Sequence, residues 1–363
     1  ALLTGILLTL PCSLLTFFMP ETILAWYSED AALIQAGAAF LKITAPFHVL
    51  MAIVSIIAAV LRATGKSLLP MLVGIFALSC NTGLNYLLIF GHFGLPALGV
   101  EGAGLATLLA KSLECMLLIA VLYWQKSSIC LTAQRFMQSF QVLEVQRFLR
   151  QSLPLLANEM IWAMGIFAFT IVYSHMGTSA LATVAMLTPI ESMSIQLFIG
   201  LTSAAAILIS TRLGAQDFQA AKQAAWLLGF IITLAAMLYG LILASCYQFI
   251  LGLYTPQPHP EIMQAAPYII WVIAATLWLR LYNVVACVSI LRSGGEAKFT
   301  LYVDVVVIWL IVLPLTAACG LLWHWPIQWV FALAISAEAL IKAPIYSLRI
   351  QTKQWLTSLV QSK

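Results

Sequence analysis

The stretch QKSSICLTAQRFMQSFQVLEVQRFLRQ, residues 125–151, decides how this chain is organised, because it is the one long polar segment in a sequence otherwise built of apolar runs. Of the 363 residues, 63% are hydrophobic and 8% charged, and the mean hydropathy is +1.01. A water-soluble domain carries roughly 25% charged residues. The chain therefore reads as an integral membrane protein, with residues 125–151 joining two membrane-embedded halves. Its apolar runs exceed the ~20 residues that carry a helix across a bilayer core, and they lack the alternation of a transmembrane barrel. The fold class is all-α and polytopic.

Ten spans are expected, at about 1–27, 35–60, 68–92, 100–124, 152–175, 182–210, 223–248, 263–291, 299–322 and 326–348. They divide into a four-span N-terminal lobe (1–124), the connection (125–151), a six-span C-terminal lobe (152–350) and a tail (351–363). In the connection Phe136, Phe140 and Leu143 share a helical face, which suits an interfacial helix, although a solvated basic linker fits as well. Positive charge retained in short loops marks the cytoplasmic side. Arg62, Lys66, Lys126, Arg212, Arg292 and Lys353 fall on one side with the other loop cations, whereas the opposite loops hold Glu29, Asp30, Glu101 and Glu261. Both ends are therefore expected in the cytoplasm. The seven cysteines are scattered without metal spacing, and no basic patch suggests a nucleic-acid partner.

An internal repeat sharpens this organisation. Span two ends in Leu61-Arg62-Ala63-Thr64-Gly65-Lys66, and span eight in Leu291-Arg292-Ser293-Gly294-Gly295-Glu296. The copies lie six spans apart and so share one orientation, as in transporters whose halves are related by an axis along the membrane normal. Spans one to four pair with seven to ten, leaving five and six unmatched. Since Ala1 also lies inside an apolar run, two further spans are expected ahead of it, giving ten present of an original twelve.

A charge at the bilayer centre costs roughly 2.5–3.5 kcal/mol, so the few ionisable residues within spans are the functional candidates. Glu159 lies about two turns into span five beside Asn158, with Pro154 placed near the helix start, where its missing N–H costs little. A desolvated carboxyl beside an amide oxygen can exchange its proton for a cation. Asp304, in a β-branched apolar setting, and Glu191, next to Pro189, are further candidates for the same ion-coupling role, and Pro189 suggests a kink. For Glu159 a structural pair with a Lys or Arg is the alternative, and for Asp304 a role as partner of the helix N-terminal dipole. Arg280 in span eight requires a carboxylate partner from among Glu159, Glu191 and Asp304. Lys111 with Glu114, and Glu338 with Lys342, read as structural pairs along one helix face. Trp162, Tyr173, Trp278 and Tyr282, with Asn283 and Arg280, are candidate walls of a cavity for flat organic cations. The sequence holds no Walker A stretch, metal-ligand spacing or serine nucleophile elbow, and it gives no support to an enzyme or a nucleotide-driven pump.

Leu61 to Lys66, Asn85-Tyr86-Leu87-Leu88-Ile89-Phe90-Gly91, the glycine-rich Gly94 to Thr107 and Leu291 to Gly295 resemble the signature stretches of bacterial multidrug and toxic compound extrusion transporters. The resemblance implies two six-helix lobes in a V shape. It also implies antiport of organic cations or related drugs against H⁺ or Na⁺ in the bacterial inner membrane, by a monomer with no cofactor besides the coupling ion. It places an acidic cation-site residue in the helix that holds Glu159, and Asp304 matches an acidic residue that follows the second Arg-x-Gly-Gly turn. Glu296 departs from the Asp usual after the Gly-Gly turn, and Arg280 is an unusual mid-helix charge. Two other readings are a flippase for lipid-linked saccharides, which needs a strongly cationic cavity, and a non-transporting membrane protein.

Overall fold

The computed structural model describes residues 2–25, 31–94, 96–124, 142–253 and 260–356. The aromatic face at Phe136 and Phe140 and the acidic loop at Glu29 and Asp30 lie outside them. The chain forms two compact units, Ala1–Leu149 and Arg150–Lys363.

The first unit contains α1 (Leu2–Phe18), α2 (Pro20–Ala25), α3 (Ala31–Thr44), α4 (Phe47–Ala63), α5 (Leu68–Phe90) and α6 (Gly99–Trp124). The expected second span is a broken one. Helices α3 and α4 meet at 44° around Ala45-Pro46, where proline cannot donate the backbone hydrogen bond that would continue α3. Ser13 of α1 donates to the carbonyl of Ala45 (2.6 Å), covering a polar group at the break. Helices α5 and α6 pack closely because Gly102 sits against the backbone of Leu88, where a Cβ would come within 2.5 Å of its carbonyl oxygen.

The second unit contains α7 (Val142–His175) from Arg150 onward, α8 (Thr178–Gly214), α9 (Phe218–Ser245), the short α10 (Tyr247–Leu253) and α11 (Pro260–Val284), which continues as a π-helical segment over Val285–Leu291. Next come α12, the span Ala297–Leu322, and α13 (Ile327–Gln351). Within α12, π-helical turns occupy Val305–Val312 and Ala318–Leu322. Among the described residues eight helices are long and apolar enough to cross a membrane, nine counting the bent pair, and Thr4–Phe18 is a shorter apolar helix.

Helix α7 corrects one expectation. It begins ten residues before the apolar run, so Pro154 lies inside it rather than at its start. The polar sequence Val142 to Ser152 contains no glycine or proline, and loss of hydropathy marks where lipid ends rather than where helix ends. Helix α8 runs without a break from Thr178 to Gly214 with Pro189 inside it.

Helix α11 is the buried axis of the second unit. Ile269, Ile270, Ile273, Leu277 and Leu281 are fully buried where α8, α9 and α13 pack around it. The repeat is visible in backbone geometry. Lys66 N donates to Leu61 O (2.9 Å) and Gly65 N to Arg62 O (3.1 Å), while Glu296 N donates to Leu291 O (3.0 Å) and Gly295 N to Arg292 O (3.1 Å). Both turns are the six-to-one closure of a helix end, with Gly65 at φ 80° and Gly295 at φ 86° in the left-handed region where glycine carries no penalty.

Candidate functional site

One chain of charged and polar side chains runs through the second unit, with members from α7, the turn after α11, α12 and α13. Asp304, the last residue before the π-helical turns of α12, is 5% exposed. Its Oδ1 meets Lys342 Nζ of α13 at 2.6 Å. Its Oδ2 accepts from Asn158 Nδ2 of α7 at 2.6 Å. Lys342 reaches back to Glu338 Oε1 one turn earlier (2.7 Å). At the other end Arg292 donates through Nη2 to Asn158 Oδ1 and pairs through Nη1 with Glu159 Oε1 (2.8 Å). The result is a continuous line from Glu338 through Lys342, Asp304, Asn158 and Arg292 to Glu159.

Local sequence explains this convergence. Asn158 and Glu159 are adjacent, so on a helix they point about 100° apart: Asn158 is buried at 1% exposure, while the Glu159 side chain is 60% exposed. Arg292 opens the Gly-Gly turn and lies next to the π-helical end of α11. The π-helical segments sit beside this line, as such irregularities frequently do at functional sites. Cys287, inside one of them, is hydrogen-bonded to Tyr346 of α13 and lies within electrostatic reach of Arg292, Asp304 and Lys342.

Among the described residues, the line carries three carboxylates, Glu159, Asp304 and Glu338, and two cations, Arg292 and Lys342. With all five ionised it holds one uncompensated negative charge. Both oxygens of Asp304 are engaged and it is sealed from solvent, whereas Glu159 is open. The excess charge is therefore most easily met from outside at Glu159.

Glu191 and Arg280 form a second pair in this unit, with Oε1 and Nη2 2.6 Å apart, so Glu191 is the carboxylate that Arg280 finds. Arg280 Nη1 is buried and without a hydrogen-bond partner among the described residues. Neutralising Glu191 leaves that guanidinium half-satisfied in apolar surroundings. We expect Glu191→Gln to lower stability by about 1–3 kcal/mol, with a smaller loss in the Glu191→Gln/Arg280→Gln double variant, read as melting temperatures in detergent.

The residues proposed as cavity walls do not converge on one hollow. Tyr173 is buried in the core between Phe169 and Phe331, with ring centroids 6.5 and 6.2 Å away, and within electrostatic reach of Glu191 and Glu338. Tyr282 shares a 2.6 Å hydrogen bond with Ser347. Asn283 Nδ2 donates to the carbonyl of Ala339 (2.9 Å). Trp162 and Trp278 face outward from the unit, 48% and 39% exposed. Two apolar hollows, of ≈ 620 Å³ against Trp325 and Trp329 and ≈ 630 Å³ between Phe17, Phe18 and Pro46, take in none of these residues.

Sequence reasoning missed three members of the line, Glu338, Lys342 and Arg292. Lys342 reads as a local partner of Glu338, which it is, but its contact with Asp304 crosses helices. Arg292 reads as a loop cation that sets orientation. The available signal for Lys342 was its position in Leu340-Ile341-Lys342-Ala343, where no solvent compensates a charge.

Helices of this length and hydropathy, crossed by a line of paired charges, define a polytopic membrane protein of the kind built to move ions or solutes. The MatE family model matches residues 1–87 and 154–318, well over half of the chain. The chain belongs to that family. It is 24% identical over 327 residues to an uncharacterized transporter, YisQ, of Bacillus subtilis, covering 86% of this chain and 68% of that protein. It is 26% identical over 306 residues to a probable multidrug resistance protein NorM of Bacillus cereus, covering 83% and 66%. Against the NorM protein of Bacillus subtilis the match is 27% over 267 residues, and the chain spans only 56% of that relative's length. Among solved structures, a MATE transporter in the bent conformation superposes with a TM-score of 0.82 at 14% identity, covering 98% of this chain and 78% of the other. A MOP superfamily transporter from Pyrococcus furiosus superposes with a TM-score of 0.84 at 14% identity, covering 97% and 77%. These structures share the fold.

Proposed function

We propose that this chain carries out secondary active multidrug efflux in the bacterial inner membrane, both ends cytoplasmic. It exports organic cations or related drugs in exchange for H⁺ or Na⁺ by alternating access. The observation that carries the reading is the charge imbalance of the line, one negative charge in excess with Glu159 open to receive a monovalent cation. Family membership and the names of the NorM relatives support the substrate class. Glu159 binds the driving ion in this reading, and Asn158 and Asp304 transmit its arrival. A neutralised Glu159 loosens its hold on Arg292, which also donates to Asn158, whose amide donates to Asp304. Coupling requires that ion and drug favour opposite conformations, since a ligand shifts an equilibrium only by its differential affinity.

A flippase for anionic lipid-linked saccharides would need free cations within the spans. Among the described residues Lys42, Lys111, Arg280 and Lys342 each meet a carboxylate, which favours the drug exporter.

The test is efflux of a fluorescent organic cation from inverted vesicles, driven in turn by a pH and a Na⁺ gradient, for the wild type and Glu159→Gln. We expect the variant to lose at least about ten-fold of the gradient-driven rate, within the ~5–150-fold range of coupling between two sites. Equal pumping by both removes Glu159 from the coupling, and a wild type that pumps under neither gradient removes the exporter reading.

A further inference from the structure

We propose that Lys342 is a built-in cation that fixes the coupling ion as a proton: its ammonium fills the place between Asp304 and Glu338 that a sodium ion would need. The inference rests on the exporter reading above and concerns which ion that exporter exchanges. Three observations carry it.

First, the ammonium holds both carboxylates at contact, 2.6 Å from Asp304 Oδ1 and 2.7 Å from Glu338 Oε1, with the lysine side chain 7% exposed. The other oxygen of Asp304 is taken by Asn158. A sodium ion entering a protein must exchange its hydration shell for several oxygens at once, and the ammonium already occupies the space between Asp304 and Glu338 where it would gather them.

Second, the remaining carboxylate is unsuited to sodium but suited to a proton. Glu159 stands at the far end of the line, largely exposed, with one oxygen held by Arg292. A metal cation needs several oxygens at once, which one half-engaged carboxylate does not offer, whereas protonation needs one oxygen and no cage. Among the described residues no three His, Cys, Asp or Glu side chains converge as a metal site. The titratable groups facing the ammonium and its carboxylates are Arg292, Cys287, Tyr346 and Tyr173. None of them adds an anionic oxygen.

Third, the first unit also keeps a lysine-paired carboxylate near the corresponding position. In the register that aligns Arg62 with Arg292 and Lys66 with Glu296, the counterpart of Asp304 is Gly74. The space where a Gly74 Cβ would stand lies 3.8 Å from Glu114 Oε1, and Glu114 is held by Lys111 at 2.6 Å. Each unit thus has a part-buried carboxylate near this position, supplied with its cation by a lysine of that unit's last long helix.

The test uses the purified chain in nanodiscs, with its melting temperature followed as choline is exchanged for Na⁺ from 1 to 100 mM at constant ionic strength and fixed pH. The wild type and Lys342→Arg are expected to be indifferent to the exchange. Lys342→Ser empties the space between two carboxylates, and we expect its melting temperature to rise by about 2 °C or more with Na⁺, because a ligand of the folded state stabilises it by mass action. Adding Asp304→Asn to that variant should abolish the rise. A Na⁺-specific rise in the wild type overturns the proposal, as does a folded Lys342→Ser that does not respond. If Lys342→Ser does not fold, saturable binding of radioactive Na⁺ by the wild type decides against the proposal and its absence for it. Vesicle efflux separates the two readings. Wild-type pumping on a Na⁺ gradient alone overturns the proton assignment but keeps the exporter, whereas failure under every gradient removes the exporter and leaves the binding result to decide the role of Lys342.

Discussion

Asp304→Ala is expected to be the most damaging single truncation in the second unit, costing about 3–5 kcal/mol of stability and abolishing gradient-driven transport. The carboxylate accepts from Lys342 and Asn158 at 2.6 Å each and is 5% exposed. Removing it leaves an ammonium with only Glu338 and an amide with no acceptor, both out of reach of water. Breaking a buried pair from one side is costly because the surviving charge is uncompensated. The same principle gives the control. Asp304→Asn and Glu338→Gln with Lys342→Met removes all three linked charges at similar volume, so the triple variant should recover most of the stability while remaining inactive. Thermal unfolding in detergent reads the first effect and vesicle efflux the second. If Asp304→Ala melted like the wild type, the line of contacts from Glu338 to Glu159 would not be a structural unit.

The second large effect concerns packing. Helices α9 and α11 meet where Gly240 lies on the backbone of Ala274, and a Cβ there would be 2.5 Å from the carbonyl oxygen and 3.4 Å from the carbonyl carbon. A backbone atom cannot swing aside as the tip of a side chain can, so any larger residue forces the helices apart along the buried axis of the unit. Small residues at such crossings let helices in a membrane approach closely where lipid supplies no hydrophobic drive between them. Gly240→Leu is expected to cost at least about 1–3 kcal/mol from overpacking, more than Gly240→Ala. Gly200, in α8 with nothing within 4 Å of its would-be Cβ, is the comparison. Gly200→Ala should be neutral or stabilise by about 0.5–1 kcal/mol through helix propensity alone. Melting curves of the three variants, side by side, test the contrast. A Gly240→Leu variant as stable as Gly200→Ala would mean that the two helices are not in backbone contact.

Much of the site was legible because an apolar run makes every charge conspicuous. Glu159, Asp304, Glu191 and Arg280 stand out for that reason, and the need of Arg280 for a carboxylate follows from the absence of solvent. The choice of Glu191 did not follow, because three carboxylates were available and only the packing of α8 against α11 selects one. Lys342 shows the opposite failure. A local partner four residues away satisfied the sequence, and the contact with Asp304 had no signature along the chain. Arg292 was legible as a helix-end residue of the repeat, yet its guanidinium turns to Asn158 and Glu159, which lie more than a hundred residues earlier. The aromatic residues were the least legible. Tyr173 and Trp162 both lie in α7, and which is sealed in the core depends on the faces that neighbouring helices cover.

The sequence by itself determined the class and the repeat. Those follow from transfer free energy and from backbone requirements that a short stretch states in full: hydropathy for a helix in lipid, glycine for the left-handed closures at Gly65 and Gly295. Tertiary structure alone decided the pairing of charges. A carboxylate within a membrane must find a counter-charge, but Coulomb attraction is indifferent to sequence separation. Which cation answers Asp304, and which carboxylate is left open, are set by how the helices cross.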